Sequence, residues 1–170
     1  MNPQYLFVYG TLRRDLGNGK HVLMEGHGDF IGHATFQGKL YLISYDLCPS
    51  TFDVRASYHF IDTSIQGDQK SRYEEILSDC YPGAVPSHKR SDIVIGQVFR
   101  LKNPESLLTK LDEYEECSPK FQQPTEYIRQ MRPVRLMGDK VVQAWIYIYN
   151  RPTGGLEQLG SGDFLLYKAR

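Results

Sequence analysis

Cysteine is scarce in this 170-residue chain, which has only Cys48, Cys80 and Cys117. No two of them stand as C-x-x-C and their number is odd, so neither a disulfide framework nor a structural zinc knuckle is expected. Such sparse usage fits a reducing, cytoplasmic setting. An excess of one charge is missing as well, because 20 Lys and Arg cancel 20 Asp and Glu. Without a basic surplus there is no electrostatic footprint for nucleic acid, and none for a membrane surface. No apolar run approaches the ~20 residues that cross a bilayer as a helix. The opening MNPQYLFVYG has no basic n-region and only a short apolar stretch, so no secretion signal is expected. The glycine patterns that cradle phosphates or dinucleotides are absent, as is the G-x-S-x-G of serine hydrolases.

What remains is an ordinary globular composition, 41% apolar and 24% charged, of a length that suits one domain spanning residues 1–170. Runs rich in Val, Ile, Tyr and Phe mark strands at residues 5–9, 39–44, 93–101, 134–136 and 141–149. In the last run Trp145, Tyr147 and Tyr149 share one face while Ile146 and Ile148 take the other, so both faces are covered, as in a barrel wall. Few long helices separate the strands, which argues against a parallel doubly wound sheet. The expected class is α+β, a small mixed, mainly antiparallel β-barrel flanked by a few helices.

Two helices are signalled. Ser71 and Glu74 form a capping box at the start of a short helix, inside a polar, irregular excursion at about residues 45–80. Further on, Asn103 is a good N-cap and Pro104 a good first helical residue. Leu107, Leu108, Leu111 and Tyr114 then recur at helical spacing, and Pro119 closes the segment. This helix carries Asp112, Glu113, Glu115 and Glu116. At 100° per residue, Glu113 and Glu116 point roughly 140–160° from the apolar stripe, Asp112 roughly 100°, and Glu115 only about 40°. The first three are expected on a solvated face. A carboxylate inside the stripe is costly unless it is paired, neutral or lining a cavity. Burial raises its pKa, which suits a general base near neutral pH. Geometry alone leaves open that Glu115 pairs with a buried arginine or that the helix end frays into water.

Other candidates weigh less. His21, His27 and His33 recur at equal spacing among glycines, but nothing makes them converge, so no metal site is expected. Gly160-Ser161-Gly162-Asp163 reads as a turn. Leu6, Phe7 and Val8 form a strand that stops at Tyr9-Gly10-Thr11, and Arg13 and Arg14 read as a solvated strand exit.

Taken together, FVYGTL, GKLY at 38–41, YPGAV at 81–85, GQVFRL, LDEYEEC, EYIR at 126–129 and the closing SGDF resemble the γ-glutamylcyclotransferase-like (AIG2-like) family, nearest its γ-glutamylamine cyclotransferase branch. The resemblance runs from about residue 5 to 167. The chain departs from compact relatives in the inserted segment at about 45–80. The resemblance implies a small antiparallel barrel and a cofactor-independent reaction on a small γ-glutamyl compound, with no nucleic-acid or membrane partner. It assigns substrate binding to Tyr9, Gly10, Thr11 and Leu12, the acid/base role to Glu115, and site support to Tyr127 and Arg129. It also leaves room for a non-catalytic binding or regulatory protein of the same fold, or an acyl- or amide-transfer enzyme on γ-glutamyl conjugates. Nothing in the sequence sets the oligomeric state.

Overall fold

The computed structural model describes residues 3–16, 24–43 and 81–168. The capping box at Ser71 and Glu74, the excursion at 45–80, His21, Cys48 and Cys80 lie outside these residues. The described elements are β1 (Tyr5–Val8), a 3-10 turn (Arg14–Leu16), β2 (Gly28–Ile43), β3 (Tyr81–Pro86), β4 (Ile93–Leu101), α1 (Pro104–Tyr114), β5 (Tyr127–Leu136), β6 (Val141–Tyr149), β7 (Glu157–Gln158) and α2 (Phe164–Lys168). Strands β2, β4, β1, β6 and β5 are hydrogen-bonded in that order, and β5 returns to β2 at Ala34–Leu136 and Thr35–Arg135, closing a five-stranded barrel. β1 and β6 run parallel and the other pairs of the ring antiparallel, so the barrel is mixed and mainly antiparallel, as expected. None of the described helices is long and apolar enough to cross a membrane.

Two strands are longer than their sequences suggest. β2 starts eleven residues before the expected 39–44 run, through a stretch broken by glycines and His33. Its register shifts between Phe30 and Gly32, a bulge that bends the strand. The bend lets one strand serve β4 and β5 early and β3 and β7 late. β5 starts at Tyr127, not 134. Beyond residues 135–136 it is paired on one side only, and such an edge tolerates Pro133 and the charged Arg129 and Arg132 that hid it.

The pleat sorts the core in two. Phe7, Tyr9, Phe36, Val98, Val142, Ala144, Ile146 and Ile148 pack together inside the barrel. Leu6, Val8, Phe99, Tyr147 and Tyr149 face outward and pack with Leu107, Leu108 and Leu111 of α1. Burying each leucine contributes about 1.5–3 kcal/mol, which is what fastens α1 to the wall. Two details of the helix differ from expectation. Asn103 occupies the N-cap but its side chain makes no capping hydrogen bond. Tyr114 is 38% exposed, so the buried stripe ends at Leu111.

Candidate functional site

β1 delivers the chain into a tight turn. The Arg13 amide donates to the Gly10 carbonyl at 3.0 Å, closing residues 10–13. A side chain at Gly10 is excluded, because a Cβ there would stand 2.7 Å from Cγ of Pro82 in β3. Tyr9 sits in the barrel interior. Its hydroxyl donates to the Tyr147 carbonyl at 2.6 Å and accepts from the Ala84 amide at 3.2 Å, pinning the start of the turn to β6 and β3. Leu12 is buried on the helix side. Thr11 is half-buried, its Oγ1 3.3 Å from the Tyr114 hydroxyl, so the turn touches the end of α1.

That helix end has a defined shape. The Cys117 amide donates to the Asp112 carbonyl at 2.9 Å and the Glu116 amide to the Glu113 carbonyl at 3.2 Å. With Glu116 in the left-handed region (φ 51°), this is a Schellman motif whose C-cap is Glu115. The Glu115 amide still donates to the Leu111 carbonyl at 2.8 Å. Glu115 therefore stands one turn beyond the fully buried Leu111, half-buried at the point where helix gives way to loop. Burial is the main cause that pushes the Tyr9 and Tyr127 hydroxyls far above the usual tyrosine range, and the negative charge of Glu115 adds to it in both. The structure thus brings the 9–12 stretch, Glu115 and Tyr127 to one end of the barrel.

Asp112 corrects the expectation of a solvated face. It accepts from the Tyr147 hydroxyl at 2.9 Å and from the Cys117 thiol at 3.6 Å, and its other oxygen is 3.3 Å from Arg129 Nη1. Tyr147 and Arg129 face each other across β6 and β5. The Arg129 guanidinium also lies over the Trp145 ring at 4.9 Å. Burial first, then Asp112, push the Cys117 thiol up to about 12, so it stays protonated and inert at neutral pH. Sequence reasoning missed Asp112 and Tyr147. The available signal was an acid at the stripe's margin opposite a strand that carries arginine. Glu113, paired with Lys120, and Glu116 do face solvent as expected.

Tyr127 donates to the Pro82 carbonyl at 3.0 Å, and its ring packs with those of Tyr81 and Tyr149. Beside it stands a second carboxylate that the sequence did not single out. Glu126 accepts from the Tyr81 hydroxyl, at 3.2 Å from each oxygen. Burial holds its pKa above the ordinary carboxylate value, against the lowering effects of Tyr81 and Arg151.

Arg13 is the other correction. It is not a solvated strand exit but 2% exposed. A side chain this deep is tolerable because it forks onto Asp15 (2.8 and 2.7 Å) and reaches Asp163 (2.6 Å). Arg14, by contrast, is exposed, with its guanidinium 5.4 Å from the Phe30 ring. Among the described residues no group of three His, Cys, Asp or Glu is placed to hold a metal.

The family model for gamma-glutamyl cyclotransferase, AIG2-like, matches residues 6–166. The chain is 36% identical over 85 residues to the gamma-glutamylcyclotransferase family protein YtfP of Escherichia coli K12, an alignment that covers 50% of this chain and 61% of YtfP. Among solved structures it is similar to YkqA from Bacillus subtilis (TM-score 0.57, 20% identity), covering 99% of this chain and 44% of that one. It is also similar to a mouse AIG2-like protein (TM-score 0.53, 22% identity), covering 92% of this chain and 86% of that one. At such identities the structural likeness speaks for the fold alone.

Proposed function

Because the chain belongs to the gamma-glutamyl cyclotransferase, AIG2-like family, we propose that it converts a γ-glutamyl amine or γ-glutamyl amino acid into 5-oxoproline and a free amine. The observation that carries this reading is the meeting of the 10–13 turn with the end of α1, where Thr11 contacts Tyr114 and Glu115 follows as the helix cap. The turn offers backbone donors and the cap offers a carboxylate, the two things such a cyclisation needs.

The substrate carries its own nucleophile. Its α-amine attacks its own γ-carbonyl carbon, forming the ring C–N bond, and the γ C–N bond breaks to release the amine. Holding the chain folded for ring closure captures a large proximity advantage. The α-amine is mostly an ammonium near neutral pH, so a base must first take a proton. Glu115 takes it and returns it to the departing nitrogen. The second proton, shed by the ring nitrogen as the lactam forms, passes through the freed carboxylate to the released amine, which leaves as an ammonium. This acid/base role is worth roughly 10²–10⁴-fold. Amides at Gly10, Thr11 and Leu12 hold the substrate carboxylate or the oxygen that gains charge as the ring closes. Tyr9, whose hydroxyl is committed to backbone partners, serves by fixing the turn. Tyr127 and Arg129 support the site from β5, and Arg129 does so through Asp112. Protons and bonds balance without a cofactor. The scarce cysteines support a cytoplasmic setting.

Incubation with a panel of γ-glutamyl amines and γ-glutamyl amino acids, read by mass, tests the proposal. The expected product is 5-oxoproline in equal amount with free amine. Free glutamate would point to hydrolysis instead, and a new conjugate to acyl transfer. A ligand retained unchanged across the panel would mark a binding protein.

A further inference from the structure

The closing Ser161-Gly162-Asp163-Phe164 stretch lies far along the chain from the turn, yet it is bonded to it. Asp163 Oδ1 accepts from Arg13 Nη1 at 2.6 Å, and Arg13 is the residue whose amide closes the 10–13 turn. The same Oδ1 accepts from the Leu165 amide at 2.9 Å at the start of α2, and Phe164 is fully buried in the barrel core. Gly162 is held just as firmly. Its carbonyl accepts from the Ile95 amide at 2.8 Å, its φ is 66°, and a Cβ would stand 1.9 Å from the Ile93 carbonyl oxygen. The anchor therefore rests on β4, and Arg13 carries its position to the turn.

We propose that the Arg13–Asp163 pair is a positioning device for the 10–13 turn, which makes the C-terminal segment part of the apparatus that holds the substrate. This rests on the functional reading above. Stability alone explains the pair poorly. Buried ion pairs repay their desolvation barely or not at all, and an apolar side chain of the same volume often does as well. What the fork geometry adds is direction, since a guanidinium gripped at Nε, Nη1 and Nη2 has a fixed orientation. Burial works against the charge on Arg13, and the two carboxylates outweigh it.

The test uses Asp163→Asn, which keeps an oxygen for the Leu165 amide but removes the charge, beside Val142→Ala, which weakens the barrel core away from the turn. The expected result for Asp163→Asn is a KM raised about tenfold with kcat within about twofold. Its Arg13 amide, which closes the turn on the Gly10 carbonyl, and its Arg14 amide, held by Gln97, should exchange with solvent about tenfold faster, with other barrel amides unchanged. Val142→Ala should lower the melting temperature and leave KM alone. A folded Asp163→Asn with unchanged KM and exchange overturns the proposal, and so does a Val142→Ala variant that raises KM equally. If Asp163→Asn fails to fold, Arg13→Lys, which keeps the charge but loses the fork, faces the same criteria. Failure of both to fold also overturns it. If the unaltered chain makes no 5-oxoproline, the functional reading falls while amide exchange still decides the clamp.

Discussion

The inside of the barrel and the layer between its wall and α1 are built from the same strands, yet they hold different chemistry. β6 shows it most simply. Val142, Ala144, Ile146 and Ile148 point inward to an apolar core that also takes in the ring of Tyr9. Tyr147 and Tyr149 point outward, toward Asp112 and Tyr127. The two-residue period of a strand separates the groups that stabilise the barrel from the groups that face the site. On the proposed reading the reacting groups belong to the outward layer and the loop ends, and the interior keeps these in register.

Breaking the interior should cost stability and spare chemistry. Ile146→Ala removes a fully buried side chain, for an expected loss of about 2–5 kcal/mol by denaturant unfolding, with kcat per folded molecule unchanged. A large fall in kcat at full folding would mean that the two layers are not separable. The outward layer should behave in the opposite sense at Glu126. Its folded pKa lies above the unfolded value, so the stability it favours is present below about pH 4.5 and is lost as pH rises through the folded value. Glu126→Gln still accepts from Tyr81 and does not titrate. It should therefore melt like the parent below about pH 4.5 and higher than the parent near neutrality. Equal melting temperatures at every pH would remove the burial argument. The smallest effect belongs to the helix end. Glu116 holds φ 51° without being glycine, so Glu116→Gly should stabilise by up to about 1 kcal/mol and leave turnover intact.

The barrel was legible where strands are buried on both faces. Residues 93–101 and 141–149 are rich in β-formers and match β4 and β6 to the residue. β5 and the first half of β2 were hidden because an edge strand and a bulged strand accept arginine, proline and glycine, which in a sequence mean loop. α1 was readable from Leu107, Leu108 and Leu111, whose spacing set the expectation that Glu115 lies on their face. What the helix wheel did not contain was the Schellman turn, which converts Glu115 from a stripe residue into a cap. Periodicity is equally silent on partners brought from afar. Asp112 looked solvated because Tyr147 and Arg129 reach it from other strands, and Arg13 looked solvated because Asp163 lies 150 residues away.

The most direct test of the central claim is the rate of 5-oxoproline formation by Glu115→Gln, measured beside its affinity for the same γ-glutamyl substrate. The account predicts a folded variant that binds substrate nearly as the parent does and turns over about 10²–10⁴-fold more slowly. A folded variant that cyclises at close to the parental rate would contradict it.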